Sequence, residues 1–435
     1  MDGESNRRKM FTLLASASIL VSYADRGNMA SAIVPMGEAY GWGKGFEGEV
    51  LSAFFLGYAL TQLIGGWLAD QYGGRMTLMA SLFAWSAFTL VTPLAASAGP
   101  APLIAVRVGL GLGEGFAFPS VHAMIATDVP RESQSTIVGI VTAASYAGAL
   151  VAFAVSPVLI HAQGWESVFY CFGGVSFLIL PGWLLYQQKG NEIAGSVMST
   201  PRVPTSLTEG RHEEGDKDWK LQFVREVEDL REVAKQLCAR KEVWAILSAQ
   251  FTQSVGMYGL LSWLPSYLHD ERGLGSDSAE MAALSAAPYA LQAVVGVAAG
   301  AAADALIRDQ GCRVKTVRQV FQVLGMAGPA FCLAAAVSAE QAETGVSLIV
   351  LGLGMSALTL AGVSVNHLDI APKSAGVVFG AGNTAATMAG LLTVPLCGWI
   401  LETYNSWEAV FGLFTCSYVM GCVLWLAWVG DEEIE

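Results

Sequence analysis

Twelve times along this chain an apolar run reaches bilayer-spanning length, about 20 residues of helix. The runs are 10–37, 46–70, 75–96, 101–126, 134–160, 165–187, 242–268, 278–306, 314–338, 344–368, 374–401 and 407–429. Hydrocarbon offers no water to a backbone N–H or C=O, so each run must satisfy its own polar groups as a helix. Barrel strands are half this length. The expected fold is therefore an all-α membrane protein of twelve transmembrane helices. Only 14% of residues are charged, against roughly a quarter in soluble domains.

The charges are unevenly placed. Of 61 charged residues, 21 fall between Lys189 and Glu242, and this stretch divides the runs six and six. The expected organisation is a cytoplasmic N-terminus at 1–9, a six-helix bundle at 10–187, a cytoplasmic linker at 188–241, a second bundle at 242–429 and a cytoplasmic tail at 430–435. Within the linker, Val224, Val227, Leu230, Ala234 and Leu237 recur at helical spacing among charges. That pattern reads as an amphipathic helix lying as a spacer on the membrane face rather than a partner site. The segment around 196–210 is rich in Ser, Thr and Pro and is expected to be disordered.

Orientation follows the basic residues. With the N-terminus in the cytoplasm, Arg26 and Arg107 lie within spans. Only Lys44 and Arg272 lie outside, and the rest of the 24 are cytoplasmic. The net charge of −13 belongs to loops. No dense basic patch suits nucleic acid; the expected surroundings are a lipid bilayer, with the chain acting as a monomer.

The two halves are related. Gly164–Phe169 (GWESVF) opens span six and Ser406–Phe411 (SWEAVF) opens span twelve, 242 residues later. Tyr58-Ala59-Leu60 recurs as Tyr289-Ala290-Leu291, and Leu110–Gly113 (LGLG) as Leu351–Gly354. Three matches in consistent order indicate duplication, giving two pseudo-symmetric six-helix bundles. Duplicated halves with a midplane site between them are a common plan for alternating access.

Four ionisable residues of consequence lie deep in spans: Asp25, Arg26, Arg107 and Glu114. A charge at such depth costs several kcal/mol unless it is paired or faces a polar cavity. Arg26 stands 16 residues into span one and Arg107 six residues below the outer end of span four. At 1.5 Å per residue in a ~30 Å core, the two reach similar depth. Two forked guanidiniums at one level form a candidate clamp for an oxyanion. Asp25 and Glu114 are candidate coupling sites, because an incoming anion competes for the arginine that holds a carboxylate ionised. A pair of purely structural salt bridges is the alternative.

Gly66–Arg75 (GWLADQYGGR) joins spans two and three. Gly66, Asp70, Gly74 and Arg75 read as a conformational latch, with Asp304 in a degenerate copy after span eight. Tyr23, Tyr58, Gln253, Asn366 and Asn383 either line the cavity or bond helix to helix. His122 and His367 lie near cytoplasmic ends and read as structural. The seven cysteines are irregularly spaced and read as packing residues. No metal-ligand pattern, nucleotide loop or catalytic motif appears, so neither an enzyme nor a cofactor is expected.

Gly66–Arg75 resembles the loop signature of the major facilitator superfamily. End to end the chain is similar to that family's anion–cation symporter branch, through Tyr23–Met36 (YADRGNMASAIVPM), Phe54–Asp70, Arg107–Ser120 (RVGLGLGEGFAFPS) and Asn366–Asn383. The D-R-x-N-M start looks most like plant and algal plastid phosphate transporters. The resemblance implies the major facilitator fold, substrate-anion binding by Arg26 and Arg107, proton sites at Asp25 and Glu114, and substrate contact by Tyr23, Tyr58 and Asn383. Leu51 and Gln253 stand where the vesicular glutamate transporters carry a histidine and an arginine, which weakens a glutamate reading.

The expected activity is secondary transport of a small anion, inorganic phosphate first, coupled to Na⁺ or H⁺. An organic anion (a sugar acid, carboxylate or glutamate) is the runner-up, and a non-transporting sensor a further alternative. Nine residues precede span one with no transit-peptide pattern, which leaves plastid, other organelle and plasma membranes open.

Overall fold

The computed structural model describes residues 2–129, 131–197, 239–339, 341–371, 375–430 and 432–433, and for a minority of these the backbone alone. Fourteen α-helices are defined among them: α1 (Asp2–Tyr40), α2 (Lys44–Tyr72), α3 (Gly74–Ala98), α4 (Pro100–Glu114), α5 (Ala117–Asp128), α6 (Arg131–Gln163), α7 (Glu166–Val197), α8 (Lys241–Arg272), α9 (Ala279–Arg308), α10 (Val314–Val337), α11 (Ala342–Met355), α12 (Val363–Ile370), α13 (Ala375–Tyr404) and α14 (Trp407–Trp428). They make twelve spans. Span four is α4 with α5, and span ten is α11 with α12 joined by a 3₁₀ turn at Ser356–Ala361. The chain is an integral multi-pass all-α membrane protein of two six-helix bundles.

Among the described residues, nine spans are long and apolar enough to cross a bilayer by length and composition. The three that fall short are α1, α2 and α8. Span one carries Asp25 and Arg26, and span seven carries Gln250, Thr252, Gln253 and Ser254. All three pack at the seam between the halves, and their polar side chains meet neighbouring helices instead of lipid, as Arg26 meets Glu114 and Gln253 meets Thr359. The lipid-facing perimeter shows the reverse pattern: Leu94, Leu178, Val297, Phe331 and Val423 are all exposed.

The duplication is visible in three dimensions. Trp165 and Trp407 are buried alike at the starts of spans six and twelve. Arg318, at the start of span nine, makes a two-pronged bond to Asp369 at the end of span ten, 2.8 and 3.3 Å. Arg75 and Asp128 hold the equivalent places in the first half, 243 and 241 residues earlier. There the two meet on one ring: the Arg75 guanidinium lies 5.4 Å from the Tyr186 ring centre, and Tyr186 donates to Asp128 at 3.0 Å. Arg7 from the start of α1 completes the cluster, 3.5 Å from Asp128.

The signature between spans two and three is mostly helix. α2 runs to Tyr72, α3 starts at Gly74, and the turn is the single residue Gly73 at φ 83°. Gly74 is buried and Arg75 half-buried. Gly66 and Asp70 sit in α2 by backbone, and the Asp70 side chain lies outside the described residues, as does the amphipathic stretch expected at 217–238.

The far ends of the halves, opposite the termini, are tied together electrostatically. Lys44 of the first half meets Asp270 of the second at 3.3 Å. His161 meets Asp277 at 2.9 Å, and Glu38 meets His269 at 3.3 Å. The Glu402 carboxylate rests against Gly43 and Gly45, at the start of α2, where a helix N-terminus favours negative charge. Nearer the middle, Phe153 stacks on Tyr289 at 5.1 Å, and Thr387 donates to Gln62 at 3.2 Å. On the side of the termini, His122 and Phe379 face each other across the halves at 6.2 Å.

Candidate functional site

Spans two and four approach closely enough that their backbones touch. A methyl group placed at Gly57 would collide with the Val108 carbonyl, and one at Gly111 with the Phe54 carbonyl. Small residues allow such contact, and it sets the Phe54 and Tyr58 side chains of span two beside the charges of spans one and four. Span four breaks just beyond, at Gly115 and Phe116, so Glu114 is the last residue of α4.

All four charges are buried: Asp25, Arg26, Arg107 and Glu114 are 1%, 7%, 2% and 0% exposed. Arg26 Nε donates to Glu114 Oε2 at 3.1 Å, and Ser22 Oγ, one helical turn earlier, donates to the same oxygen at 2.9 Å. Three rings enclose the guanidinium, with centres 4.4 Å (Tyr23), 4.8 Å (Phe54) and 4.6 Å (Tyr58) away. Aromatic faces attract a cation without neutralising it. Tyr258 of span seven reaches Arg26 from the other half, and its ring packs on Phe55 at 4.8 Å.

Two atoms of this pair are buried without a hydrogen-bond partner: Arg26 Nη2 and Glu114 Oε1. An orphaned charged donor inside a protein costs more than a neutral one. One orphan is a donor that an oxyanion would satisfy. The other is an acceptor that a proton or small cation would satisfy.

The other two charges, Asp25 and Arg107, each bond a different partner and not each other. Asp25 Oδ1 accepts from Asn28 Nδ2 at 3.0 Å, with Thr89 of span three alongside. Arg107 donates to the Val50 carbonyl at 3.3 Å, and its charge faces both Asp25 and Glu114. Phe54 links the two arginines: the Arg107 guanidinium lies 5.7 Å from the ring centre that Arg26 also faces. The two arginines therefore share a ring at similar depth, and each already has an oxygen partner.

The other candidates divide. Tyr23 is half-buried and meets Phe118 edge-on at 6.1 Å. Asn383 lies one turn from Thr387 on the face of α13 turned toward span two. Gln253 instead bonds Thr359 at 2.6 Å, and Asn366 bonds the Gly430 carbonyl at 3.0 Å. Both hold helices together inside the second half. His122 bonds the Phe118 carbonyl at 2.9 Å. Sequence reasoning missed Phe54, Tyr258 and Ser22. An aromatic at helical spacing reads as core, so only Ser22, one turn from Arg26, carried a local signal.

The family model of the Major Facilitator Superfamily matches residues 15–394. The chain is 34% identical to the chloroplastic sodium-dependent phosphate transport protein 1 of Arabidopsis thaliana, over 99% of this chain and 81% of the relative. It is 32% identical to the chloroplastic ascorbate transporter of the same plant, over 98% and 76%. In fold it is similar to a D-xylose-proton symporter, with TM-score 0.71 and 15% identity over 97% of this chain and 98% of that one. A bacterial homologue of the human lysosomal transporter Spinster, inward-facing and occupied, matches with TM-score 0.69 and 17% identity over 97% and 95%.

Proposed function

The chain belongs to the major facilitator superfamily, and on that premise we propose that it is a secondary transporter of a small anion, inorganic phosphate first, driven by co-movement of Na⁺ or H⁺. One observation carries the reading. Arg26 is held in an aromatic enclosure at the seam between the halves, paired on one edge with Glu114, and its Nη2 is buried with no partner.

The proposed sequence of events follows from that pairing. An anion arriving between the halves takes the unpartnered Nη2 edge of the Arg26 fork. Part of the arginine's charge is then spent on the anion, and Glu114 loses some of its hold. A cation, as H⁺ on Oε1 or as Na⁺ beside it, restores the balance. Arg107 and Asp25 supply two further opposite charges behind the Phe54 ring. Tyr23 and Tyr58 border the anion on the first half, while Tyr258 and Asn383 close over it from the second, so occupancy draws the halves together. The far-side ties would break and re-form as access alternates, with the Gly66–Arg75 region latching the first half on the side of the termini. That side is read as the cytoplasm, from the segregation of basic residues.

Phosphate leads because a curated relative at 34% identity is a phosphate transport protein. The ascorbate transporter at 32% favours an organic anion as the second reading. The decisive experiment is uptake into proteoliposomes of labelled phosphate, ascorbate, glutamate and a sugar acid, under separate Na⁺, pH and voltage gradients. Phosphate accumulation that is lost in Arg26→Ala and Arg107→Ala is expected. Accumulation of ascorbate alone would replace the substrate; accumulation of nothing would favour a sensor.

A further inference from the structure

A contact between the halves, on the side opposite the termini, is complete only in its protonated form. His269 lies in the last turn of α8. Gly273, at φ 62°, turns the chain back so that His269 Nδ1 meets the Leu274 carbonyl at 3.0 Å. The other ring nitrogen, Nε2, stands 3.3 Å from a carboxylate oxygen of Glu38, in the last turn of α1 and so in the first half. We propose that the His269–Glu38 contact is a proton sensor, which holds the far side shut when the compartment it faces is acidic.

The partners decide the form of the ring. A carbonyl oxygen can only accept, and so can a carboxylate. A neutral imidazole has a hydrogen on one nitrogen, so one of the two partners would face a bare lone pair. The imidazolium offers a hydrogen to both. Its place agrees, since the last turn of a helix favours a cation. The surrounding charges lean the same way. The Glu47 carboxylate of α2 lies within the field of the ring. Lys44 of α2 is divided between Glu47 and Asp270, at 3.4 and 3.3 Å. Arg272 is turned to Glu280 of α9, 3.8 Å away, and Glu402 of α13 to Gly43 and Gly45. The His161 tie makes no such demand: its Nδ1 faces Asp277 at 2.9 Å, and a neutral ring can donate there.

Opening the far side parts Glu38 from His269, because they belong to different halves. The ring keeps Leu274, from its own loop, and the neutral form serves that carbonyl. The closed contact therefore uses a proton that the open form does not, and acid favours closure. Histidine changes charge between about pH 5 and 8. The His269 and Glu38 side chains are 30% and 61% exposed, so the proton comes and goes through water on this side. It is a signal and not cargo, and the contact touches none of the buried quartet. The inference rests on the alternation proposed above, but not on the identity of the anion.

The test is electron–electron double resonance on the full chain in nanodiscs, with spin labels at the exposed far-side positions Ala98→Cys and Tyr404→Cys. His161→Gln is present throughout, to silence the other far-side tie. From about pH 7.5 to about pH 5.5, inside the histidine range, the open population should fall about threefold, the scale of an ion pair this exposed. Adding His269→Gln or Glu38→Gln should remove that fall. An open population that ignores pH before either is added would overturn the sensor and leave alternation standing. A fall of unchanged size in both variants would also overturn it, and assign the response to other groups. No open population at either pH would refute alternation and sensor together. If His269→Gln fails to fold, Glu38→Gln decides alone, because its side chain is mostly in water.

Discussion

Removing the far-side ties should move the molecule toward opening on that side by a calculable amount. Lys44 and Asp270 are 25% and 27% exposed and 3.3 Å apart. A pair this wet contributes about 0.5–1 kcal/mol. Asp270→Asn should therefore shift the closed-to-open ratio about threefold, since every ~1.4 kcal/mol is tenfold. His161 and Asp277 form a separate tie that shares no partner with the first. Changes at unconnected sites add, so Asp270→Asn with Asp277→Asn should give a shift of about tenfold. Electron–electron double resonance can read it, with spin labels at Ala98→Cys on span three and Tyr404→Cys on span eleven, both exposed at the far side. The exposed Cys171 and Cys416 would first be changed to serine. The long-distance population should grow from wild type to single to double variant. It should also grow for the wild type in 1 M salt, where screening acts within about 3 Å. A double variant with the wild-type distance distribution would show that apolar contacts such as Phe153 on Tyr289 hold the far side shut, and that the ionic ties are incidental.

Four further outcomes are expected. Arg26→Lys should bind anion at least tenfold more weakly in equilibrium titration and still fold, because an ammonium cannot hold Glu114 and an anion on one planar fork. Gly111→Ala should lower thermal stability by about 1–3 kcal/mol, the usual cost of overpacking; an unchanged melting curve in detergent would refute the backbone contact with Phe54. Arg318→Ala should destabilise the second half, seen as faster hydrogen exchange across spans nine and ten, because it strips the two-pronged partner from a half-buried Asp369. The hydrogen bond from His161 holds the Asp277 carboxyl below the usual carboxylate range. Ionised Asp277 therefore favours the closed far side at any pH above about 4, the ordinary carboxylate value, and that contribution fades as pH falls through the lowered value. The Asp277→Asn distance distribution should differ from wild type at pH 6, and the difference should shrink as pH falls below about 4.

The twelve spans were legible because runs of apolar residues have one outcome in lipid. The duplication was legible because Trp165 and Trp407 keep their neighbours across 242 residues. The depth of Arg26 and Arg107 followed from helical rise alone. Rotation did not. Rise fixes how far along a helix a side chain lies, but which neighbour it meets depends on how closely the helices approach. The glycine contact between spans two and four brings Phe54 to both arginines and leaves Arg107 on a backbone carbonyl. No period in the sequence encodes that. Gln253 and Gln292 show the same limit, since each finds a hydroxyl of span ten, Thr359 and Ser356. The extensions of α1 to Asp2 and of α7 to Val197 were hidden for another reason: hydropathy ends where lipid ends, whereas a helix already nucleated continues into water.

The formal charges of the buried quartet cancel, two against two, and this has a consequence for the electrical behaviour of the cycle. Moving one elementary charge through the membrane field costs about 2.3 kcal/mol per 100 mV. A vacant protein that turns over with a balanced quartet moves none, so its return step should ignore voltage. On the proposed symport, all the current in a cycle then belongs to the cargo, and the reversal potential of uptake reports the net charge carried by each anion with its accompanying cations.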